Sequence, residues 1–143
     1  IADDIARRLA AGELPMRTPT VLTGGDAVLD ASRRLEVQRA MTLGSGPVRS
    51  AASTTGAITA LAALAQEPVT EAAPGPRTWE TTNLLHLGQV LSFVANLREE
   101  TRGGHVRSDF PDLDDARWRT HLTAIRQGDG VVVVTEHPVE GPA

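Results

Sequence analysis

The run "TWETTNLLHLGQVLSFVANLREET", Thr78 to Thr101, constrains the fold more than any other part of the chain. Leu84, Leu87, Leu91 and Val94 recur at the spacing of one helical stripe, and Leu85, Val90 and Leu97 widen it. A helix over 78–101, capped by Thr78 and stopped by Gly103 and Gly104, is roughly 35 Å long at about 1.5 Å per residue. So broad an apolar stripe needs partners on two sides.

Two other segments can supply them. A helix over about 26–43 opens at the capping residue Asp26, carries Leu29, Leu35, Val37 and Met41, and breaks at Gly44 to Pro47. Another over about 47–65 places Ile58, Leu61, Ala62 and Ala65 on one face, and Pro68 ends it. Hydrophobic residues are 41% of the chain but aromatics only 3%, so the core is built from Ala, Val and Leu, which favours closely packed helices. The 143 residues are enough for one core. At the far end, "HLTAIRQGDGVVVVTEH" reads as a hairpin over about 120–137 around Gly128-Asp129-Gly130, followed by a frayed tail. The predicted fold is mainly α: a spectrin-like up-down three-helix bundle with a C-terminal β-hairpin. Gln66 to Arg77, with three prolines, is predicted to be an exposed loop.

The opening "IADDIARRLAAGE" has Ile1, Ile5 and Leu9 on one face, acids early and arginines late, as suits a short amphipathic helix. Pro15, Pro19 and Gly24-Gly25 then mark a linker. With no Met and no room for a cap before Ile1, the expectation is that the chain begins inside a larger polypeptide. The Ile1, Ile5 and Leu9 face is unmatched in the bundle and is free to dock on a neighbouring copy of the chain.

Several function classes are disfavoured by composition. The chain has no Cys, hence no disulfide framework or thiolate metal site, and this is compatible with a cytoplasmic location. A net charge of -4 with no basic block argues against nucleic acid, and no apolar run approaches the ~20 residues that cross a bilayer. All fourteen cations are Arg, so an Arg at any one position is weak evidence of function.

The best candidates for chemistry lie in "ETRGGHVRSDFPD", Glu100 to Asp112. Arg102, His105, Arg107 and Asp109 surround a Gly-Gly pair whose backbone freedom can bring side chains against a ligand or another domain. Arginines there suit a carboxylate or phosphate. A structural reading competes with this: Arg102 and His105 follow a helix C-terminus, where positive charge is favoured, and Arg107 can pair with Asp109. His86, His121 and His137 are scattered without metal-binding spacing, and Asp112, Asp114 and Asp115 suit helix capping better than a calcium loop. Thr23 to Asp26 lacks the Lys of a phosphate loop, and no dinucleotide fingerprint or nucleophile elbow occurs.

"TRGGHVRSDFPDLDDARWRTHL", Thr101 to Leu122, resembles the C-terminal region of the L-aspartate oxidase family, within the superfamily of succinate dehydrogenase and fumarate reductase flavoprotein subunits. Glu100, Arg102, Gly103, His105, Arg107, Asp109, Phe110, Pro111, Trp118 and His121 match its pattern, and Thr101 stands where Ser is usual. "IADDIARRL" is similar to the last helix of that family's flavin domain, so residues 1–25 are expected to be that helix plus a linker, with the helical domain at 26–143. "VQRAMTLGSGPVRS" is similar to the start of the helical domain, with Pro47 atypical.

The resemblance implies a parent enzyme that uses FAD to oxidise L-aspartate to iminoaspartate, the first step of de novo NAD biosynthesis. It implies that this chain holds no catalytic, cofactor or metal ligand of its own. Arg102, His105, Arg107 and Asp109 are then expected at a seam with the flavin-binding and capping domains, bracing them and lending positive potential to a dicarboxylate site. Two other readings compete. Succinate dehydrogenase and fumarate reductase subunits usually carry Ala where this chain has Gly104, and a free-standing helical interaction module would have no catalytic parent.

Overall fold

The computed structural model describes residues 2–12, 28–66, 74–127 and 132–139. The chain is mainly helical, with two small two-stranded sheets. Helix α1 (Ala2–Ala10) forms where the sequence predicts it, with Asp3 and Asp4 in its first turn and Arg7 and Arg8 in its last. Gly12 follows at φ +69°, the left-handed conformation in which a helix commonly ends. Ile1, and the side chains of Ile5 and Leu9, lie outside the described part of the chain.

The next helix starts later than expected. Residues 28–30 are not helical, and the cap is Asp30: its carboxylate accepts the Ser32 N–H at 2.8 Å and opens a 3-10 turn (Ala31–Arg33) leading into α2 (Arg34–Gly44). Leu29 N–H donates to Thr82 Oγ1 at 2.8 Å, which ties this entry to a helix distant in the chain. Asp26 lies outside the described residues.

The third helix also starts late. Val48–Arg49 form a short strand, β1, parallel to β2 (Val106–Arg107), with Val48 opposite Val106 and Arg49 opposite Arg107. Helix α3 (Ala51–Ala65) therefore begins after Ser50, whose hydroxyl accepts the Ser53 N–H while Ser53 Oγ accepts the Ser50 N–H at 3.0 Å. Most of the Gln66 to Arg77 loop, residues 67–73, lies outside the described residues.

Helix α4 (Pro76–Leu97) opens with Pro at its first position and with Thr78 Oγ1 accepting the Gly75 N–H at 2.9 Å. It ends at Leu97 instead of near Thr101, because Arg98 is already extended. Asp114 caps a single turn, α5 (Asp115–Trp118), by accepting the Arg117 N–H at 3.1 Å. Strands β3 (Thr120–Arg126) and β4 (Val132–Pro138) pair antiparallel from Thr120 opposite Pro138 to Arg126 opposite Val132. The predicted turn at 128–130, like Val131, lies outside the described residues.

Helices α2, α3 and α4 pack on one another around Val37, Leu61, Leu64 and Leu85, with Leu29, Ala40, Met41 and Leu84 against that cluster. The buried face of α4 differs from the predicted stripe. It consists of Thr78, Thr81, Thr82, Leu85, Gly88 and Ser92, whereas Leu87 and Leu91 are 56% and 51% exposed. Hydropathy misses this face because its hydroxyls satisfy themselves: Thr81 Oγ1 donates to Arg77 O at 2.8 Å and Thr82 Oγ1 to Thr78 O at 2.7 Å. Small side chains then let the helices approach closely. A Cβ at Gly88 would lie 3.1 Å from Met41 Sδ, and one at Gly44 would lie 2.4 Å from Ala57 Cβ and 2.6 Å from Ser53 O.

This close approach sets two substitutions of the same chemistry against each other. Gly44→Ala should destabilise by about 2 kcal/mol, because its methyl meets the backbone of α3, despite the better helix propensity of Ala. Gly56→Ala, mid-helix with nothing within 4 Å of the new methyl, should stabilise by about 0.8 kcal/mol. Urea unfolding of both variants measures the difference, and equal effects would rule out the close α2–α3 contact.

Candidate functional site

The end of α4 leaves its last carbonyls without helical partners. Arg107, 1% exposed, supplies them: its Nη1 donates to Ala95 O and Asn96 O at 3.0 Å and to Arg98 O at 2.9 Å. The other edge of the same guanidinium makes a two-bond fork with Asp109, both contacts 2.8 Å, and its face lies 4.9 Å from the centre of the Phe110 ring. Asp109 Oδ2 also accepts the Ala51 N–H at 2.7 Å, at the first turn of α3. One ion pair thus closes the negative end of α4 and the positive end of α3.

A second pair of contacts lies beside it. Glu100 is fully buried and accepts from Arg98, from Arg102 Nε at 2.7 Å and Nη2 at 3.0 Å, and from the Asp114 N–H at 3.0 Å. Arg102 reaches on to Asp115. Arg98 Nη1 and Nη2 donate to Trp118 O and Thr120 O at 2.9 and 2.6 Å, tying the hairpin to the helix end, and its guanidinium lies 5.3 Å from the Trp118 ring centre. Thr101 uses the hydroxyl it shares with Ser, accepting the Arg107 N–H at 2.9 Å and donating to Phe110 O at 2.9 Å.

Burial by itself would raise the Glu100 pKa, but the hydrogen bonds from Arg102, the Asp114 N–H and Arg98 outweigh it and lower the carboxyl from 4.5 to about 2. The Arg107 fork holds Asp109 well below the usual carboxylate range. Both acids are therefore charged at neutral pH.

His105 is placed differently. The Gly103-Gly104 turn, with Gly103 at φ +56°, folds residue 105 back onto residue 102 through two backbone bonds of 2.8 and 2.9 Å. Its Nδ1 lies 3.1 Å from Arg49 Nη1 and its Nε2 lies 3.2 Å from Arg98 O. Arg49 can only donate, so this geometry assigns the ring proton to Nε2 and leaves the imidazole neutral. Burial lowers its pKa most; the Arg98 carbonyl opposes this, and the charges of Arg49, Arg107 and Arg98 lower it further.

Of the four residues singled out in the sequence, Arg102, Arg107 and Asp109 engage partners within the domain, and His105 sits at the edge of a cleft lined also by Met41, Ser45, Arg49, Leu91, Val94 and Arg98. Sequence reasoning did not assign partners to Glu100 and Arg98. Their signal is the alternation of opposite charges in Arg98, Glu100 and Arg102, which places three chain-adjacent ions on one side of an extended segment. Asp112, Asp114 and Asp115 form no metal cluster, and no group of three or more ligating side chains occurs among the described residues.

The fold and its network define the class first: a small helical domain locked by buried arginine–carboxylate pairs. Residues 34–141 match the family model described as fumarate reductase flavoprotein C-term, and the chain belongs to that family. It is 40% identical over 156 aligned positions to an L-aspartate oxidase of Streptomyces coelicolor, covering 99% of this chain and 27% of that protein. It is 30% identical over 125 positions to a fumarate reductase flavoprotein subunit of Mycobacterium tuberculosis, covering 81% and 21%. Among solved structures, the E. coli quinol fumarate reductase FrdA chain superposes with a TM-score of 0.62 at 21% identity, over 96% of this chain and 24% of that one. A Mycobacterium smegmatis Sdh1 chain superposes at 0.61 with 26% identity, over 99% and 24%. The chain thus spans about a quarter of the length of the relatives it matches.

Two measurements test the network. Glu100→Gln places an amide NH2 against donors and removes the charge opposite Arg98, so it should cost about 3 kcal/mol in urea unfolding. Because the Glu100 pKa is depressed, its contribution to stability is complete above pH 4.5 and is lost as pH falls toward about 2; an unchanged acid limb in the variant would contradict this. The His105 ring, followed by NMR, should titrate below its ordinary 6.5, so stability tied to its neutral form declines as pH falls through that lowered value. A midpoint above 6.5 would reject the neutral ring assigned here.

Proposed function

We propose that this chain is the C-terminal helical domain of an FAD-dependent L-aspartate oxidase, a cytoplasmic enzyme that converts L-aspartate to iminoaspartate in NAD biosynthesis. The observation that carries this reading is the 40% identity to the Streptomyces enzyme over 99% of the chain, against 30% over 81% for the fumarate reductase subunit. Residue 104 does not separate the two by space, since a Cβ on Gly104 meets nothing within 4 Å and its φ is ordinary.

The domain's role in this reading is to brace the flavin-binding and capping parts of the same polypeptide. In this reading the domain carries no flavin site of its own, which is supported by a sequence without a dinucleotide fingerprint. FAD and the dicarboxylate substrate accordingly belong to the remainder of the enzyme, and the chain alone is inactive. Residues 1–25 are, in the same reading, the last helix of the flavin domain and its linker, and residues 26–143 are an up-down three-helix bundle with its hairpin. Arg102, Arg107 and Asp109 act by fixing the end of the domain that carries His105 and Arg49.

The test is to express the complete reading frame that contains this chain, record its visible spectrum, and assay L-aspartate and succinate side by side. A flavin spectrum with turnover of L-aspartate is expected. Turnover of succinate alone would replace the oxidase with a succinate dehydrogenase or fumarate reductase subunit, and a flavin-free product would reject the flavoprotein reading.

A further inference from the structure

Arg98, Arg102, Arg107 and Arg117 each meet a carboxylate. Arg49 meets none among the described residues. Its half-buried guanidinium reaches Ser45 O at 3.4 Å, Gly104 O at 3.5 Å and His105 Nδ1 at 3.1 Å, all neutral groups. A cleft of about 280 Å³ opens beside it, with Met41 and Leu91 in its wall. A second cleft of about 500 Å³ shares Met41 and Leu91 and continues along Leu84 and Leu87. The two clefts meet at Met41 and Leu91 and form a groove between α2 and α4 that is apolar along α4, bears Gln38, Thr42 and Ser45 on the α2 side, and is cationic at the Arg49 end.

The groove also explains the exposed stripe. Helices α2 and α3 cover the face of α4 that carries Thr81, Leu85, Gly88 and Ser92, and Leu87 and Leu91 of the apolar row face outward.

We propose that this groove seats an apolar segment from the flavin-carrying part of the same polypeptide, with a carboxylate of that segment received by Arg49. The inference rests on the reading of this chain as one domain of a flavoenzyme. Two observations choose the occupant. The chain covers 27% of its Streptomyces relative, so most of such a polypeptide lies beyond it and is available to cover the groove. The chemistry of the groove end is complementary to an acid: a guanidinium donates in a fork, its two carbonyl acceptors are at 3.4 and 3.5 Å, and the neighbouring neutral His105 leaves its charge unopposed.

Carbene footprinting of Met41, Leu87 and Leu91 tests this, comparing the complete polypeptide with the 143-residue chain alone. Labelling should fall severalfold in the complete polypeptide. Arg49→Glu should restore labelling of Leu91, and Arg49→Lys should restore it less. Leu91→Glu, at an exposed position of the domain, should lower the temperature at which the complete polypeptide releases flavin. Unchanged labelling between the two forms overturns the proposal, as does protection of the short chain that disappears on dilution, which would assign the groove to a second copy. The visible spectrum separates the two failures. A bound flavin with an open groove defeats the docking alone; a protected groove without flavin defeats the flavoprotein reading and leaves the groove filled by another part of the polypeptide.

Discussion

The fork between Arg107 and Asp109 is the contact on which the arrangement of the domain depends. A buried guanidinium is tolerated only when its donors are satisfied and its charge is opposed. Here the opposing carboxylate is itself held by the first turn of α3, while the remaining donors close the last turn of α4. The start of α3 and the end of α4 are therefore held side by side through one ion pair. The β1–β2 pairing has the same consequence, because Arg107 lies opposite Arg49, two residues before α3 begins.

Glu100 extends this constraint to the rest of the C-terminal segment. It collects Arg98 and Arg102, and Arg98 in turn holds the carbonyls at the start of β3. The hairpin is thus anchored to the helix end by hydrogen bonds to charged groups, beside the contacts of Trp118 with Arg98 and Arg117. Such a network is sensitive to the loss of any member, because the partner left behind is a buried ion or an unpaired carbonyl. It also explains how a motif rich in arginine can serve structure: Arg102 and Arg107 are paired with carboxylates of the same domain, and His105 faces the cleft beside Arg49 and Arg98.

Packing between the helices follows a separate rule. The bundle closes on Gly44, Gly88, Ala57 and a row of threonines, so its tight contacts come from small residues, and the large leucines of α4 are divided between the core and the groove. A domain made this way has a closely packed interior and an apolar exterior face. For a domain that braces a larger enzyme, as proposed, that combination is suitable: the network fixes the groove's shape, and the groove offers the contact.

Much of this was legible in the residues. The helical class, the long α4, a cap at Asp112 or Asp114 on the turn that places Trp118, strands on either side of Gly128 to Gly130, and the pairing open to Arg107 and Asp109 all follow from local patterns of period, capping and charge. Family membership was legible for a related reason: Arg102, Gly103, His105, Arg107 and Asp109 each have a distinct geometric task, which leaves few substitutes at that spacing. The late starts of α2 and α3 were not legible, because Asp26 and Pro47 are acceptable starts locally, and the tertiary contacts of Leu29 with Thr82 and of β1 with β2 decide against them. Nor was the buried face of α4, since threonine reads as polar until its hydroxyl is seen bonded to the preceding turn. Sequence determined which segments are helical and which residues carry charge, because propensity and period act over a few neighbours. Only the tertiary structure decided where those helices begin, which face they bury and which arginines are satisfied, because each of those outcomes depends on groups distant in the chain.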